Sequence, residues 1–451
     1  MDTSSTKYRL TNQVKEVFYQ MDKPDRFFRF AVVIFGIALF VRLAVLLFFW
    51  SDCIWQSGHI QDDWNKLAIN LVEAGTYGFL PDEPTVTRGP FFPLIEIPLY
   101  LVFGENYAGW SISLLLFDSL TCLFLMFIAR RLWGNRPALL AGLFYSVNLP
   151  VVYYTAQIEQ FTSIMPFVFL WFYLFSLWEL RPFTAWLPWT LGLVSGLMIV
   201  NKTVYLPAPF LGAAAIILFR QAGTPVKRLI AQIVIYLLVT MAVVTPWTYR
   251  NYVVSKRFIP VQSYFWELFW QDIIISDLDA RRGMNRPDGE LLKHLLSKRA
   301  ELFKNDLLSK ELRGTQKELY EESVFATTVL KLIRGNPLNY FNNILNNMWQ
   351  FWIGAENLNK VKKLLTMQAV YLGATLVGFC FLFMYRQVYR IKFGLLLILM
   401  LWGVHCLVFA WGRFSLDLVP ILAIIFGLGF DTCMKNKDRR DERFTQYRKA
   451  D

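Results

Sequence analysis

From Arg29 onward the chain alternates long apolar runs with short polar connections. Ten runs, near 29–50, 109–129, 137–153, 161–178, 184–200, 203–219, 228–247, 364–385, 393–411 and 415–432, approach the length a helix needs to cross a bilayer, about 20 residues. The shorter ones imply tilt or extension into the headgroups. About 28 polar residues precede the first run and no small-residue cleavage site follows it, so that run is expected to stay as an anchor. The pattern predicts an all-α polytopic membrane protein, a bundle of about ten transmembrane helices.

An eleventh apolar stretch, 90–103, is 14 residues long, begins Pro-Phe-Phe-Pro, contains Glu96 and Pro98, and ends at Gly104. Length does not decide whether it spans, but charge does, because short cytoplasmic loops collect Lys and Arg. With 90–103 on the membrane surface, Lys7, Arg9, Lys15, Lys23 and Arg26, the loops carrying Arg130, Arg131 and Arg136, Arg181, Arg220, Lys227 and Arg228, and Arg386, Arg390 and Lys392, and the tail from Lys435 all face inward. The short outer loops then hold only Lys202 and Arg413. A spanning 90–103 would invert every later loop.

This topology predicts a cytoplasmic segment 1–28, a membrane module 29–247 with a first outer loop 51–108, an outer loop or cap 248–363, C-terminal helices 364–432 and a basic cytoplasmic tail 433–451. Within the first outer loop, Leu67, Ile69, Leu71 and Val72 mark a short amphipathic juxtamembrane helix that Gly75 is placed to end. In the cap, helical periodicity runs through Glu290–Leu308 and Leu312–Ile333, with a Pro-Asp-Gly turn at 287–289.

Composition agrees. Hydrophobic residues make up 55% of the 451 positions and charged residues 18%, and there are 40 Phe and 16 Trp, a balance that excludes an ordinary soluble domain. The formal charge of +12 would suit a nucleic-acid binder, but its placement in inward loops and the tail makes it a topology signal, and no nucleic-acid partner is expected. Of five cysteines, Cys122, Cys380 and Cys406 lie in apolar runs, Cys433 follows the last, and only Cys53 is placed outside the cytoplasm, so no disulfide framework is indicated.

Charged groups gather at the outer face. Asp62 and Asp63 open the juxtamembrane helix, where the helix dipole favours negative charge. Simple capping explains one of them readily and a pair less well. Arg88, Lys202, Arg250 and Arg413 map to outer helix ends, where a long basic side chain either snorkels to headgroups or holds a ligand's phosphate. Glu159 sits in an outer loop, equally an ordinary loop carboxylate. Arg42 and Asp118 lie at membrane depth and read as structural, satisfied by neighbouring helices. His405 reads as packing, and with only His59 and His294 besides, a histidine metal site is not expected.

The ordered set Asp62-Asp63-Trp64, Leu67-Ala68-x-Asn70-Leu71-x-x-x-Gly75-x-Tyr77, Arg88-Gly89-Pro90-x-x-Pro93, the run Ala129 to Ala138, Thr245-Pro246-Trp247-x-x-Arg250-Asn251-Tyr252, Phe258-x-Pro260-Val261 and Arg413-Phe414-x-Leu416-x-x-Val419-Pro420 resembles the GT-C membrane glycosyltransferases, in their protein-mannosyltransferase and aminoarabinose-transferase branch. It covers Arg29 to Phe430, most weakly at 272–330. The resemblance implies a GT-C-like bundle, and transfer of a sugar from a polyprenyl-phosphate carrier to an acceptor hydroxyl with inversion, Asp62 or Asp63 being the general base. It implies outer-face cations, here Arg88, Lys202, Arg250 and Arg413, at the lipid phosphate, with Glu159 and Asn251 oriented toward acceptor or metal. A divalent cation held by carboxylates is left open, as are the sugar and the acceptor, whether glycan, lipid or protein. Compactness points to a bacterial inner membrane with the site facing the periplasm. The rival readings are a transporter or flippase of lipid-linked glycans, which would need polar groups near mid-bilayer, and a non-catalytic envelope-assembly scaffold.

Overall fold

The computed structural model describes residue 16 and residues 20–48, 63–182, 184–220 and 224–450, with side chains at all but 280–282 and 440–450. Asp62, Cys53 and the basic residues before Glu16 lie outside the described residues. The regular elements among those described are helices.

Each of the ten apolar runs coincides with helix. Five form continuous spans: α1 (Phe27–Phe48), then α4 (Tyr107–Trp133), α7 (Phe161–Leu180), α10 (Val226–Ser255) and α16 (Leu358–Met384), with α2 (Trp64–Glu73) and α3 (Phe91–Phe103) between the first two. Two more, α17 (Lys392–Val408) and α18 (Val419–Ala450), reach spanning length together with the tight turns that precede them, 388–391 and 412–418.

The other three runs explain why, among the described residues, seven helices are long and apolar enough to cross a membrane, or eight with one bent pair, where the pattern suggests about ten. The run at 137–153 is broken into α5 (Asn135–Ser146) and α6 (Leu149–Ala156), bent by 52°. Asn148 starts the second piece by accepting from the Val151 N–H, and Pro150 follows in its first turn, both signals that end one helix and begin another. The runs at 184–200 and 203–219 become α8 (Leu187–Asn201) and α9 (Ala208–Leu218), 15 and 11 residues, which at 1.5 Å per residue fall short of a hydrocarbon core of about 30 Å.

α8 is held by close approach. A Cβ on Gly192 would sit 2.6 Å from the Tyr236 carbonyl oxygen, one on Gly196 2.5 Å from Cβ of Val243, and the Thr240 hydroxyl donates to the Gly192 carbonyl. Small residues four apart allow such contact without a hydrophobic drive between helices. Gly192→Leu is expected to push α8 off α10 and lower stability by about 1–3 kcal/mol, read as a lower melting temperature in detergent. An unchanged melt would mean the seam tolerates bulk.

At membrane depth Arg42 and Asp118 form a fully buried pair at 2.6 Å, which agrees with their structural reading. At the other end of the bundle Gly134, at φ 92°, turns α4 into α5, and Arg136 is 3.4 Å from Asp431 and from Asp22.

Between α10 and α16 the chain forms a helical layer: α11 (Phe265–Arg282), α12 (Glu290–Leu302), α13 (Leu307–Glu311), α14 (Gly314–Gly335) and α15 (Pro337–Ile353). Gly289, at φ 77°, starts α12 after the expected turn. That helix stops at Leu302, short of the periodic run to 308, because Asp306 caps a new helix by accepting from the Ser309 N–H. Phe269, Trp270, Phe325 and Val329 form the layer's core, and Ile275, Leu278 and Leu291 join it to Phe409 at the end of α17.

In α11, Asp272 is buried and accepts from the amides of Asn343 and Asn347. Burial pushes its carboxyl up to about 7, against the pull of those two amides. The folded value thus lies above the unfolded one, about 3.9, so the folded state holds the extra proton. Its contribution is complete below about pH 4 and is lost as pH rises through about 7. The chain is expected to melt higher at pH 5 than at pH 8, and Asp272→Asn to flatten that difference. An equal slope in the variant would assign it to other groups.

Candidate functional site

α2 forms where the amphipathic pattern places it. It ends as expected, with Gly75 at φ +67° and the Ala74 and Thr76 amides closing on the Asn70 carbonyl. Its start differs from simple capping. Asp63 precedes it at φ 55°, and its side chain makes no capping hydrogen bond. Capping needs an extended backbone to aim the carboxylate at the first free amides, and this left-handed conformation does not provide one. Asp63 lies instead 3.1 Å from Lys66 and is half exposed. Asp62, adjacent, lies outside the described residues.

Trp64 anchors the helix start in a small apolar core with Leu67, Tyr77, Phe92 and Trp110. Arg88 lies over this region, its guanidinium 4.2 Å from the Tyr264 ring centre, 5.5 Å from Trp64 and 5.9 Å from Phe79. Aromatic faces hold a cation in place without neutralising it. The next residue, Gly89, rests on the C-terminus of α8: a Cβ there would meet the Val200 carbonyl oxygen at 2.8 Å, which favours glycine at the motif.

α8 ends at Asn201, and Lys202 turns into the bundle to meet Asp417 at 2.9 Å. Tyr205 donates to the same carboxylate oxygen. Lys202 also lies 5.4 Å from the Phe414 ring, and Arg413 stands over that ring at the same distance. Arg413 in turn pairs with Glu159 at 3.2 Å. Thus Lys202, Arg413 and Glu159 come together around Phe414, and the Arg88-Gly89 turn reaches the same helix end through Val200. Lys202 is an ion-pair partner in the protein, not a headgroup snorkel.

Arg250 makes a two-pronged grip onto backbone: its guanidinium donates to the carbonyls of Thr85 and Tyr77, and it lies over the rings of Tyr77 and Trp247. Asn251 is fully buried and donates to the carbonyls of Ile259 and Val261. Trp247 and Thr248 bond the same strip, at Val261 and Pro260. The Thr-Pro-Trp-x-x-Arg-Asn motif therefore clamps Phe258–Val261 on one side and the first outer loop on the other.

That loop is also tied to the helical layer. Glu318 accepts from the Thr85 hydroxyl and the Val86 N–H, and Glu83 from the Gly314 N–H. Burial pushes the Glu318 carboxyl up, while those bonds and the charges of Arg88 and Arg250 pull it down.

Residues 87–249 match the family model of the dolichyl-phosphate-mannose-protein mannosyltransferases. Among solved structures, the archaeal oligosaccharyltransferase AglB from Archaeoglobus fulgidus, in complex with an inhibitory peptide and a dolichol-phosphate, aligns over 90% of this chain and 50% of its own length, with 12% identity and a TM-score of 0.53. The chain has the GT-C fold. Over 87–249 this GT-C bundle is protein-mannosyltransferase-like, as the sequence resemblance implies. ArnT from Cupriavidus metallidurans bound to undecaprenyl phosphate aligns over 89% of this chain and 77% of that one, at 14% identity and a TM-score of 0.40, a likeness too loose to bear weight. The chain spans about half the length of AglB. A sequence comparison with curated proteins gives no significant match.

Two residues of this cluster are absent from the sequence reading: Asp417, the partner of Lys202, and Tyr264, the closest ring to Arg88. Asp417 carries a signal, since an acid inside an apolar run marks a paired or functional group. Tyr264 carries none, because only the fold brings it to Arg88. Among the described residues no group of three or more His, Cys, Asp and Glu gathers that could hold a metal.

Proposed function

We propose that the chain is a membrane glycosyltransferase that moves a sugar from a polyprenyl-phosphate carrier to an acceptor hydroxyl, with inversion, at the periplasmic face of a bacterial inner membrane. The observation that carries this reading is the meeting of Lys202, Arg413 and Glu159 near the end of α8, which the Arg88-Gly89 turn also reaches through Gly89, in a chain whose residues 87–249 match a lipid-phosphate-sugar transferase family.

The chemistry follows from the groups. Asp62 or Asp63 takes the proton of the acceptor hydroxyl as its oxygen bonds to the anomeric carbon from the face opposite the phosphate. The bond from that carbon to the phosphate oxygen breaks, and the growing negative charge stays on the polyprenyl phosphate. Cations in a water-poor site lower the energy of that charge. Arg88, held by aromatic faces, and Arg413, beside Glu159, are the groups assigned to the phosphate, with Lys202 behind them on Asp417. Arg250 and Asn251 serve the site by holding the loop that presents Arg88. Glu159 positions Arg413 and faces the acceptor side.

Binding of undecaprenyl phosphate tests the cation assignment without knowledge of the acceptor. Arg88→Gln and Arg413→Gln are each expected to weaken it about 10–100-fold, the worth of one charged hydrogen-bonding group, with the melting temperature unchanged in Arg88→Gln and lowered in Arg413→Gln, which removes an ion-pair partner of the buried Glu159. Parental affinity in both variants would remove the phosphate from this end of the bundle.

A further inference from the structure

α15 is an unusual helix. Asn339, Asn342, Asn343, Asn346 and Asn347 recur at helical spacing along one face, although asparagine is a poor helix former. Stability does not call for five of them. Asn343 and Asn347 are spent on Asp272, and Asn343 also accepts from the Ser276 hydroxyl.

The others open onto a cavity of about 550 Å³ between α11 and α15, lined by Asn339, Asn342, Asn346, Trp349 and Asp279. The volume is that of a small-molecule site. Trp349 is 37% exposed, so part of its ring is open to contact, and its indole N–H donates to the side-chain oxygen of Asn346, leaving that amide's N–H₂ to donate outward. Asp279 pairs with Arg286, while its second carboxylate oxygen is buried with no hydrogen-bond partner. Among the described residues no Lys, Arg or His side chain lines the cavity.

These groups sort possible ligands by chemistry. An anion would meet the partly unsatisfied Asp279 carboxylate and, among the described residues, no cation on the lining, and an apolar ligand would strand the amides. Amides offer a donor and an acceptor side by side, matching vicinal hydroxyls, and an indole face covers the C–H side of a pyranose ring. Along the adjacent stripe of α15, Leu338, Phe341, Leu345 and Met348 are exposed, the arrangement of a helix lying in a membrane interface. The cavity therefore opens where a sugar borne on a membrane lipid would stand.

We propose that the cavity between α11 and α15 is a binding site for a neutral sugar, the glycan of the acceptor. Its role as an acceptor site rests on the transferase reading above; its sugar binding does not.

The test uses the full chain in nanodiscs and saturation-transfer NMR, with trisaccharides of glucose, galactose, mannose and N-acetylglucosamine as probes and galacturonate trimer as the charged comparison. At least one neutral probe is expected to bind, and Asn342→Ala/Asn346→Ala and Trp349→Ala each to weaken it about tenfold or more, one to two lost hydrogen bonds or a stacked ring, at an unchanged melting temperature. Adding a galactolipid to the nanodiscs should compete with galactotriose if the natural sugar is lipid-borne; absence of competition, with binding intact, assigns a soluble glycan. No binding of any neutral probe at millimolar concentration, tighter binding of galacturonate, or parental affinity in both variants would overturn the site. Donor lipid is absent throughout, so failure here leaves the transferase reading standing, and loss of transfer in a base variant leaves this site standing.

Discussion

Sugar transfer is expected to fall by about 10²–10⁴-fold when Asp62 and Asp63 are both changed to Asn, the usual worth of a positioned general base. Asn keeps the shape and some hydrogen bonding but cannot accept the hydroxyl proton. The effect should appear in the rate of transfer from a polyprenyl-phosphate donor and not in donor binding, because the phosphate is assigned to Arg88 and Arg413. Stability should hold, since Asp63 makes no capping bond and its ion pair with Lys66 is half exposed, and such pairs are worth little. The single variants divide the role. If Asp63→Asn alone carries the loss, the left-handed backbone at φ 55° is what turns its carboxylate away from the helix amides and toward an acceptor. If Asp62→Asn alone carries it, the Asp63 conformation serves only to start α2. Undiminished transfer by the double variant would leave the base assignment without support.

The membrane fold was legible because lipid leaves a helix few alternatives: backbone groups must bond within the segment, and apolar length follows. The same rule says less about a helix that protein, not lipid, surrounds. α8 is only 15 residues long and mostly buried, with Trp189 and Leu193 exposed, so packing against protein constrains it more than the bilayer does. Charge patterning assigns Lys202, Arg413 and Arg88 to one face; Lys202 and Arg413 lie against the Phe414 ring, and Gly89 rests on the end of α8. What each side chain does there depends on partners distant in the chain. Arg250 resembles a phosphate grip in its motif, yet its fork closes on the Tyr77 and Thr85 carbonyls, whose arrival no local pattern announces. α15 was missed for a different reason: its asparagines argue against helix by propensity, and its amphipathic packing overrides them.

The largest stability effect is expected at the Arg42–Asp118 pair. Its members are fully buried, Arg42 also donating to the Ala38 and Ser146 carbonyls, and Tyr145 donating to the other Asp118 oxygen. Arg42→Ala leaves a carboxylate in the bundle core with only a phenol for company, a change that typically costs about 3–5 kcal/mol. The melting temperature in detergent should drop sharply. Arg42→Met/Asp118→Leu removes both charges together and should recover most of that loss, because a matched apolar pair carries no desolvation cost. The pair also has a reach beyond stability. Ser146 is the last residue of α5, where the chain bends by 52° into α6 and so toward Glu159. If the guanidinium on the Ser146 carbonyl sets that bend, the double variant will melt near the parent yet bind undecaprenyl phosphate less well, as Glu159 and its partner Arg413 shift. Full recovery of both melting and binding would confine Arg42 to neutralising Asp118.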